Sequence, residues 1–165
     1  MFAQLVKWFQ PSDTYRDLLP VYAQCVAQAR QPVFYTTYGV ADSVDGRFDL
    51  ILLHLAIWLN ATDANADTTR HIMELVIADM DQSLREMGVG DMSIGKKVDK
   101  MAFAMNGRLQ AYTASGDDPD AWTHAIAHNV YRQDSHPQAE RLADYALRAK
   151  AQLSQSNAEL NWPAL

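Results

Sequence analysis

The chain has 165 residues, 48% of them hydrophobic and 21% charged, with 14 basic against 20 acidic side chains and a formal net charge of −6. This length fits one globular domain, and this composition excludes wholesale disorder. The single cysteine, Cys25, excludes an internal disulfide and any zinc site with two or more cysteine ligands, while the acidic balance argues against a DNA-binding protein.

The amino-terminal segment, residues 1–12, is apolar but has neither a charged leader nor a cleavage site, so we do not expect a signal peptide. A reducing cytoplasmic location is therefore predicted. The apolar side chains of this segment fit either an interfacial hook at the inner face of a membrane or a segment that docks on its own domain. These side chains are Phe2, Leu5, Val6, Trp8 and Phe9.

The first predicted helix runs to Arg30, with Ser12 or Asp13 as a cap and Pro20 in its first turn. Its apolar stripe repeats at the 3.6-residue period and contains Cys25, which indicates a buried thiol. Residues 31–32 end the helix with a proline, and residues 33–40 are predicted to form a loop or a single turn.

The second predicted helix, residues 47–59, is capped by Ser43 or Asp45. Apolar residues surround most of this helix, so we expect it to be the central helix of the core. Residues 50–59, interrupted by His54, are also the longest apolar run of the chain, and they fall short of the roughly 20 residues that cross a bilayer. A polar loop is predicted over residues 60–67.

The third helix is predicted over residues 68–87, ended by Gly88, and the fourth begins at a Ser93 cap. A fifth helix is expected to begin at residues 118–119 and a sixth at residues 136–137, each at a proline. The tail, residues 155–165, is expected to fray unless Trp162 anchors it. The sequence therefore predicts an all-α fold with one helical domain over residues 13–154.

Catalytic and metal-binding patterns are sparse. His124 and His128 have the i, i+4 spacing that lets two imidazoles share a metal, but the residues between them include no glutamate to act as a general base. The alternative function is therefore that of a helical metal-binding protein or hydrolase that uses His124 and His128. We predict instead that the chain is not an enzyme and holds no cofactor.

Two aspartates belong to the third helix. Asp79 falls on its apolar stripe, so a buried carboxylate there needs a partner, and Arg47, Arg85 or Arg108 could supply it. Asp81 lies two residues further on, nearly opposite on a helix, so the two carboxylates are not expected to act as an acid and base pair.

Methionine and positive charge concentrate in the same part of the chain. Six of the seven methionines fall between residues 73 and 105, and flexible methionines recur on surfaces that accept varied apolar helices. Residues 85–108 carry five basic and three acidic side chains, so their net charge of +2 leaves −8 for the rest. A basic ridge beside a methionine-rich strip suits a chaperone-like or membrane-proximal surface, whereas core filling and an ordinary solvated face are the simpler alternatives.

Several blocks of the sequence resemble the ubiquinol–cytochrome c chaperone family. The most specific is the segment from Asp79 to Met101, which contains Arg85-Glu-Met-Gly-Val-Gly-Asp91. Residues 106–112, 28–35, 46–54 and 128–132 support it, and the resemblance extends over about residues 15–150. The chain departs from the family at residues 104–106, Ala-Met-Asn, where aromatic residues are usual.

This resemblance implies a helical, non-enzymatic assembly factor that binds apolar, newly made cytochrome b on its way into the cytochrome bc1 complex. We expect the third and fourth helices to form a client groove, and the basic ridge to orient the complex at a ribosome or an anionic membrane surface. The expected partner-binding residues are Met80, Leu84, Arg85, Met87, Lys96, Lys97, Lys100, Met101 and Met105. The expected structural residues are Arg47, Asp79, Asp81, Gly88, Gly90, Asp91, Arg108 and Tyr112.

Overall fold

A computed structural model describes residues 13–156 and 159–165. The helices are α1 (Asp13–Ala29), α2 (Val33–Thr36), α3 (Val44–Ala61), α4 (Ala66–Glu86), α5 (Asp91–Ser115), α6 (Pro119–Asn129) and α7 (Ala139–Leu153). No strand occurs among these residues, which confirms the predicted all-α class. The expected apolar hook lies in residues 1–12, outside the described residues.

Helix α3 is the central element, as its apolar circumference predicts. Every residue from Phe48 to Leu59 is buried, because α1, α5 and α7 pack around this helix. Its start is set by Ser43, whose side chain accepts a hydrogen bond from the Gly46 amide. A Cβ atom at Gly46 would lie 1.9 Å from the carbonyl oxygen of Ala41, so only glycine fits this turn.

Helices α4 and α5 form a hairpin that packs on this centre, with α4 against α1 and α5 against α3. Helix α6 packs against α5 and α7, which completes the bundle. Among the described residues, no helix combines the length and the apolar character needed to span a bilayer.

Five predicted helix starts differ from the structure. Helix α3 begins at Val44 rather than at residue 47, and α4 begins at Ala66 rather than at residue 68. Helix α1 begins at Asp13, so Pro20 lies inside it rather than in its first turn. Helix α5 begins at Asp91 with Gly90 as its cap, two residues before the expected Ser93. Helix α7 begins at Ala139, after the His136-Pro137 pair, because the Nδ1 atom of His136 accepts the amide of Gln138 in a turn before the helix.

The carboxy-terminal segment, residues 159–165, lies against α1 and α3. The Leu160 amide donates to the side-chain oxygen of Gln24, and the Trp162 ring meets the His54 imidazole edge to face, with 5.1 Å between ring centroids. Trp162 therefore anchors this segment, as the sequence analysis considered.

Candidate functional site

The seam between α4 and α5 is closed in this structure. Met80, Leu84 and Met105 are buried, and they belong to the core rather than to an open groove. The cavity along the seam encloses only about 10 Å³. Two apolar stripes joined by a short turn pack directly on each other, and the flexible methionine side chains fill the irregular space between them. The expectation of an open groove lined by these three residues is thus corrected.

A shallow apolar surface lies along the outside of the seam, and we call it the seam strip. It consists of partly exposed side chains on both helices, namely Met73 and Ile77 of α4 and Val98, Met101 and Ala102 of α5. Met87, at the end of α4, is 59% exposed. Of the five methionines and leucines expected at the groove, Met87 and Met101 therefore remain accessible.

The turn between the two helices is held by backbone and side-chain contacts. Gly88 adopts φ +79°, a left-handed conformation that favours glycine, and its amide donates to the Arg85 carbonyl. The Arg85 guanidinium bridges Asp81 and Asp91, at 2.7 Å from an oxygen of each carboxylate. Arg85 thus closes the hairpin instead of being free to meet an anionic surface.

The predicted basic ridge consists of Lys96, Lys97 and Lys100 of α5, and all three side chains are exposed. Lys96, Lys97 and Lys100 form no ion pair with any residue in the described ranges, 13–156 and 159–165. Two large apolar side chains lie beside them on the surface, because Met92 is 94% exposed and Phe103 is 86% exposed.

Phe103 is an exposed residue that the sequence patterns did not single out. It lies two positions from the buried Met105, which on a helix places the two side chains on nearly opposite faces. The signal was present in the sequence, because Phe103 falls off the stripe that Ile94 and Leu109 define. At 86% exposure, Phe103 is available for contact with a partner or a membrane.

The expected partners of Asp79 and Arg47 are different in the structure. Asp79 accepts a 2.7 Å hydrogen bond from the Tyr22 hydroxyl, and no ion pair reaches it within the described part of the chain. Arg47 is exposed and pairs with Asp42 at 2.8 Å. An uncharged hydroxyl from a neighbouring helix satisfies Asp79, so α1 and α4 are joined by a hydrogen bond rather than by a salt bridge.

Arg108 instead neutralises a carboxylate that the sequence analysis did not single out. Asp49 of the central helix is 2% exposed, and its two oxygens lie 3.2 Å from Arg108 and 2.8 Å from Arg132. Burial raises the pKa of Asp49 to about 6, although both arginines act to lower it. Tyr112 is buried nearby and stacks on Trp122. These contacts join α3, α5 and the loop after α6.

A second buried polar group lies on the opposite side of α3. The His54 imidazole is fully buried, and its Nδ1 atom lies 2.7 Å from the Leu50 carbonyl oxygen, so Nδ1 carries the proton and Nε2 accepts from the Tyr145 hydroxyl. Burial lowers the pKa of His54 to about 4. Gln28 donates to the same hydroxyl. Cys25 is buried beside His54, and burial raises the pKa of the Cys25 thiol. Both observations agree with the predicted buried thiol.

The histidine pair of α6 lies on the surface. His124 and His128 are both exposed at a groove between α5 and α6 whose other walls are mainly alanines. Among the described residues, no group of three or more histidine, cysteine, aspartate or glutamate side chains converges in a way that could hold a metal ion. The pair therefore has the spacing of two ligands without a third.

Comparisons with known proteins give one family and one solved structure. A family model described as ubiquinol-cytochrome C chaperone matches residues 36–160, a range that contains the whole hairpin. The crystal structure of the Cbp3 homolog from Brucella abortus is similar over 99% of this chain and 97% of that one, with a TM-score of 0.76 and 28% sequence identity. No curated protein matches the chain significantly.

Proposed function

The chain belongs to the ubiquinol-cytochrome C chaperone family, and we propose that it binds newly made cytochrome b, without catalysis, during assembly of the cytochrome bc1 complex. The family match is the observation that carries this proposal. It confirms the resemblance that the segment from Asp79 to Met101 suggests, and that segment forms the end of α4, the hairpin turn and the start of α5.

The client surface we propose is the seam strip together with Met87. An apolar segment of cytochrome b laid along the hairpin would cover Ile77, Val98 and Met101, which the fold leaves partly exposed. Methionine suits such a surface because its unbranched side chain adapts to different partners. Met80, Leu84 and Met105 support the strip from beneath, so their part in client binding is to hold its shape.

The turn contacts give this surface a fixed form. Arg85 holds Asp81 and Asp91, and Gly88 permits the left-handed step between the helices. A preorganised surface binds more tightly because less conformational freedom is lost on association. In this proposal, Arg85 acts on the client through the geometry of the hairpin and not through its charge.

The test begins with a strain in which the gene for this protein is deleted. We expect this strain to accumulate little assembled cytochrome bc1 complex, measured from the haem b absorbance of its membranes, and we expect the wild-type chain to restore it. Normal levels of the complex in the deletion strain would refute the proposed function.

The client surface is tested in the same strain with tagged variants. Met87→Glu and Val98→Glu place a charge on the proposed surface, whereas Leu19→Glu places one on an exposed apolar position of α1 as the matched control. Immunoblotting of cytochrome b isolated with each tagged chain should show at least a fivefold loss for the first two only. Equal recovery with all variants would remove the seam strip as the client surface.

A further inference from the structure

The outer face of α5 carries apolar and basic side chains together. Met92 and Phe103 are eleven residues apart, which is about three helical turns, so both project from the same face at a separation of about 16 Å along the axis. They are the two most exposed large hydrophobic side chains of the described residues, at 94% and 86%.

Positive charge lies between these two side chains. Lys96 follows Met92 by one turn and Lys100 precedes Phe103 by one turn, so both share the face, and Lys97 borders it. Asp99 is the one acidic side chain on this stretch of the face, which leaves the lysines in excess. We call this surface, formed by Met92, Lys96, Lys100 and Phe103, the outer face.

We propose that the outer face is a membrane-docking surface that lays α5 on an anionic lipid bilayer. An aromatic ring flanked by lysines is the composition that interfacial helices use, because the ring enters the boundary between headgroups and acyl chains while the ammonium groups meet the phosphates. The charge is complementary to anionic lipid even though the chain as a whole is acidic.

Other occupants fit the outer face less well. A second copy of the chain stacked on this face would bring lysines against lysines, which opposes association. A ribosomal RNA surface would pair with the lysines and stack a base on the Phe103 ring, but it would leave Met92, which has no ring, without such a contact. The outer face lies away from Met105 and the seam, so docking on a bilayer leaves the seam strip accessible.

The test uses the purified full-length chain and vesicles without any client, so its result is independent of cytochrome b binding. We expect the chain to float with phosphatidylcholine vesicles that contain phosphatidylglycerol and not with phosphatidylcholine alone, with less flotation at high salt. Phe103→Ser should weaken the association about tenfold. Lys96→Gln combined with Lys100→Gln should weaken it at least tenfold.

Two control variants make the same kinds of change on α1 as the test variants make on α5. Leu19→Ser removes an exposed apolar side chain, Arg16→Gln removes an exposed cation, and both should float like the wild type. Thermal unfolding of each variant verifies that the fold is intact, which we expect because all substituted side chains are exposed.

Three results would overturn the proposal. The first is wild-type flotation by the Phe103 and lysine variants, which would move the membrane contact elsewhere, such as to residues 1–12. The second is a wild-type chain that does not float with vesicles but binds purified ribosomes, with this binding lost in the lysine variants. The third is a wild-type dimer in sedimentation analysis that Phe103→Ser converts to a monomer.

Discussion

Replacing Arg108 by glutamine tests the buried ion cluster of the central helix. Asp49 is almost inaccessible to water, and Arg108 is the more buried of its two partners, with 14% of its side chain exposed against 48% for Arg132. Glutamine keeps much of the side-chain length but removes the charge, so it leaves the carboxylate with one partly exposed cation.

The magnitude follows from the cost of a buried charge without its partner, which is about 3 kcal/mol or more. For a chain of this length, a loss of 3 kcal/mol lowers the melting temperature by roughly 6–12 °C. The loss depends on pH. The pKa of Asp49 is about 6 in the folded protein and 3.8 in its unperturbed state, so ionisation destabilises the fold as the pH rises through this range.

Removing Arg108 takes away a charge that lowers the pKa of Asp49, so the pKa in the variant rises further. The variant is therefore most destabilised at pH 7.5, where the carboxylate is charged in the wild type. At pH 5, Asp49 is largely protonated in both folded proteins, and the difference between them shrinks.

Urea unfolding of the wild type and of Arg108→Gln at pH 7.5 and pH 5 measures this difference directly. Arg70→Gln is the matched control, since Arg70 pairs with Glu74 at 2.8 Å on the exposed surface, where such a pair contributes at most about 1 kcal/mol. If Arg108→Gln loses no more stability than this control, or loses the same amount at both pH values, Arg108 does not stabilise the buried Asp49 carboxylate.

Two further predictions concern the interior and the helix backbone. Tyr145→Phe leaves the Nε2 atom of the buried His54 without a donor and should cost about 1–3 kcal/mol in urea unfolding, so a loss below about 0.5 kcal/mol would contradict the assigned tautomer. Gly46→Ala forces a Cβ atom to 1.9 Å from the Ala41 carbonyl oxygen and should lower the melting temperature markedly. Gly95→Ala lies on the exposed side of α5, where the new Cβ would meet no atom within 4 Å other than the nearby backbone of its own helix, and it should raise stability by about 0.5–1 kcal/mol. A change of the same sign in both variants would refute these roles of the two glycines.

The fold could be predicted from the sequence because its signals are local. The apolar circumference of residues 47–59 identified the central helix, and Ser43, Gly88 and Asp118 mark helix ends through side-chain oxygens or a left-handed backbone. Two of the misplaced starts share a cause. Proline at position 20 or 137 resembles a first-turn residue wherever it occurs, and only the packing of the neighbouring turns decides where the helix begins.

The partners of charged residues could not be predicted in this way. Arg108 and Asp49 are far apart in the chain, and so are Tyr22 of α1 and Asp79 of α4, which share a hydrogen bond. Helical periodicity shows which side chain points inward but not which neighbour meets it there. The methionine cluster was ambiguous for the same reason, and the structure divides it into buried Met80 and Met105 and accessible Met87 and Met92.

Site-specific photo-crosslinking tests the client claim most directly. A photoreactive amino acid at position 87, on the exposed end of the hairpin, and one at position 19, on the exposed face of α1, are activated in living cells while cytochrome b is being synthesised. We predict a crosslink to cytochrome b from position 87 and none from position 19. Absence of that crosslink from position 87, or equal crosslinks from both positions, would contradict binding of the client at the hairpin.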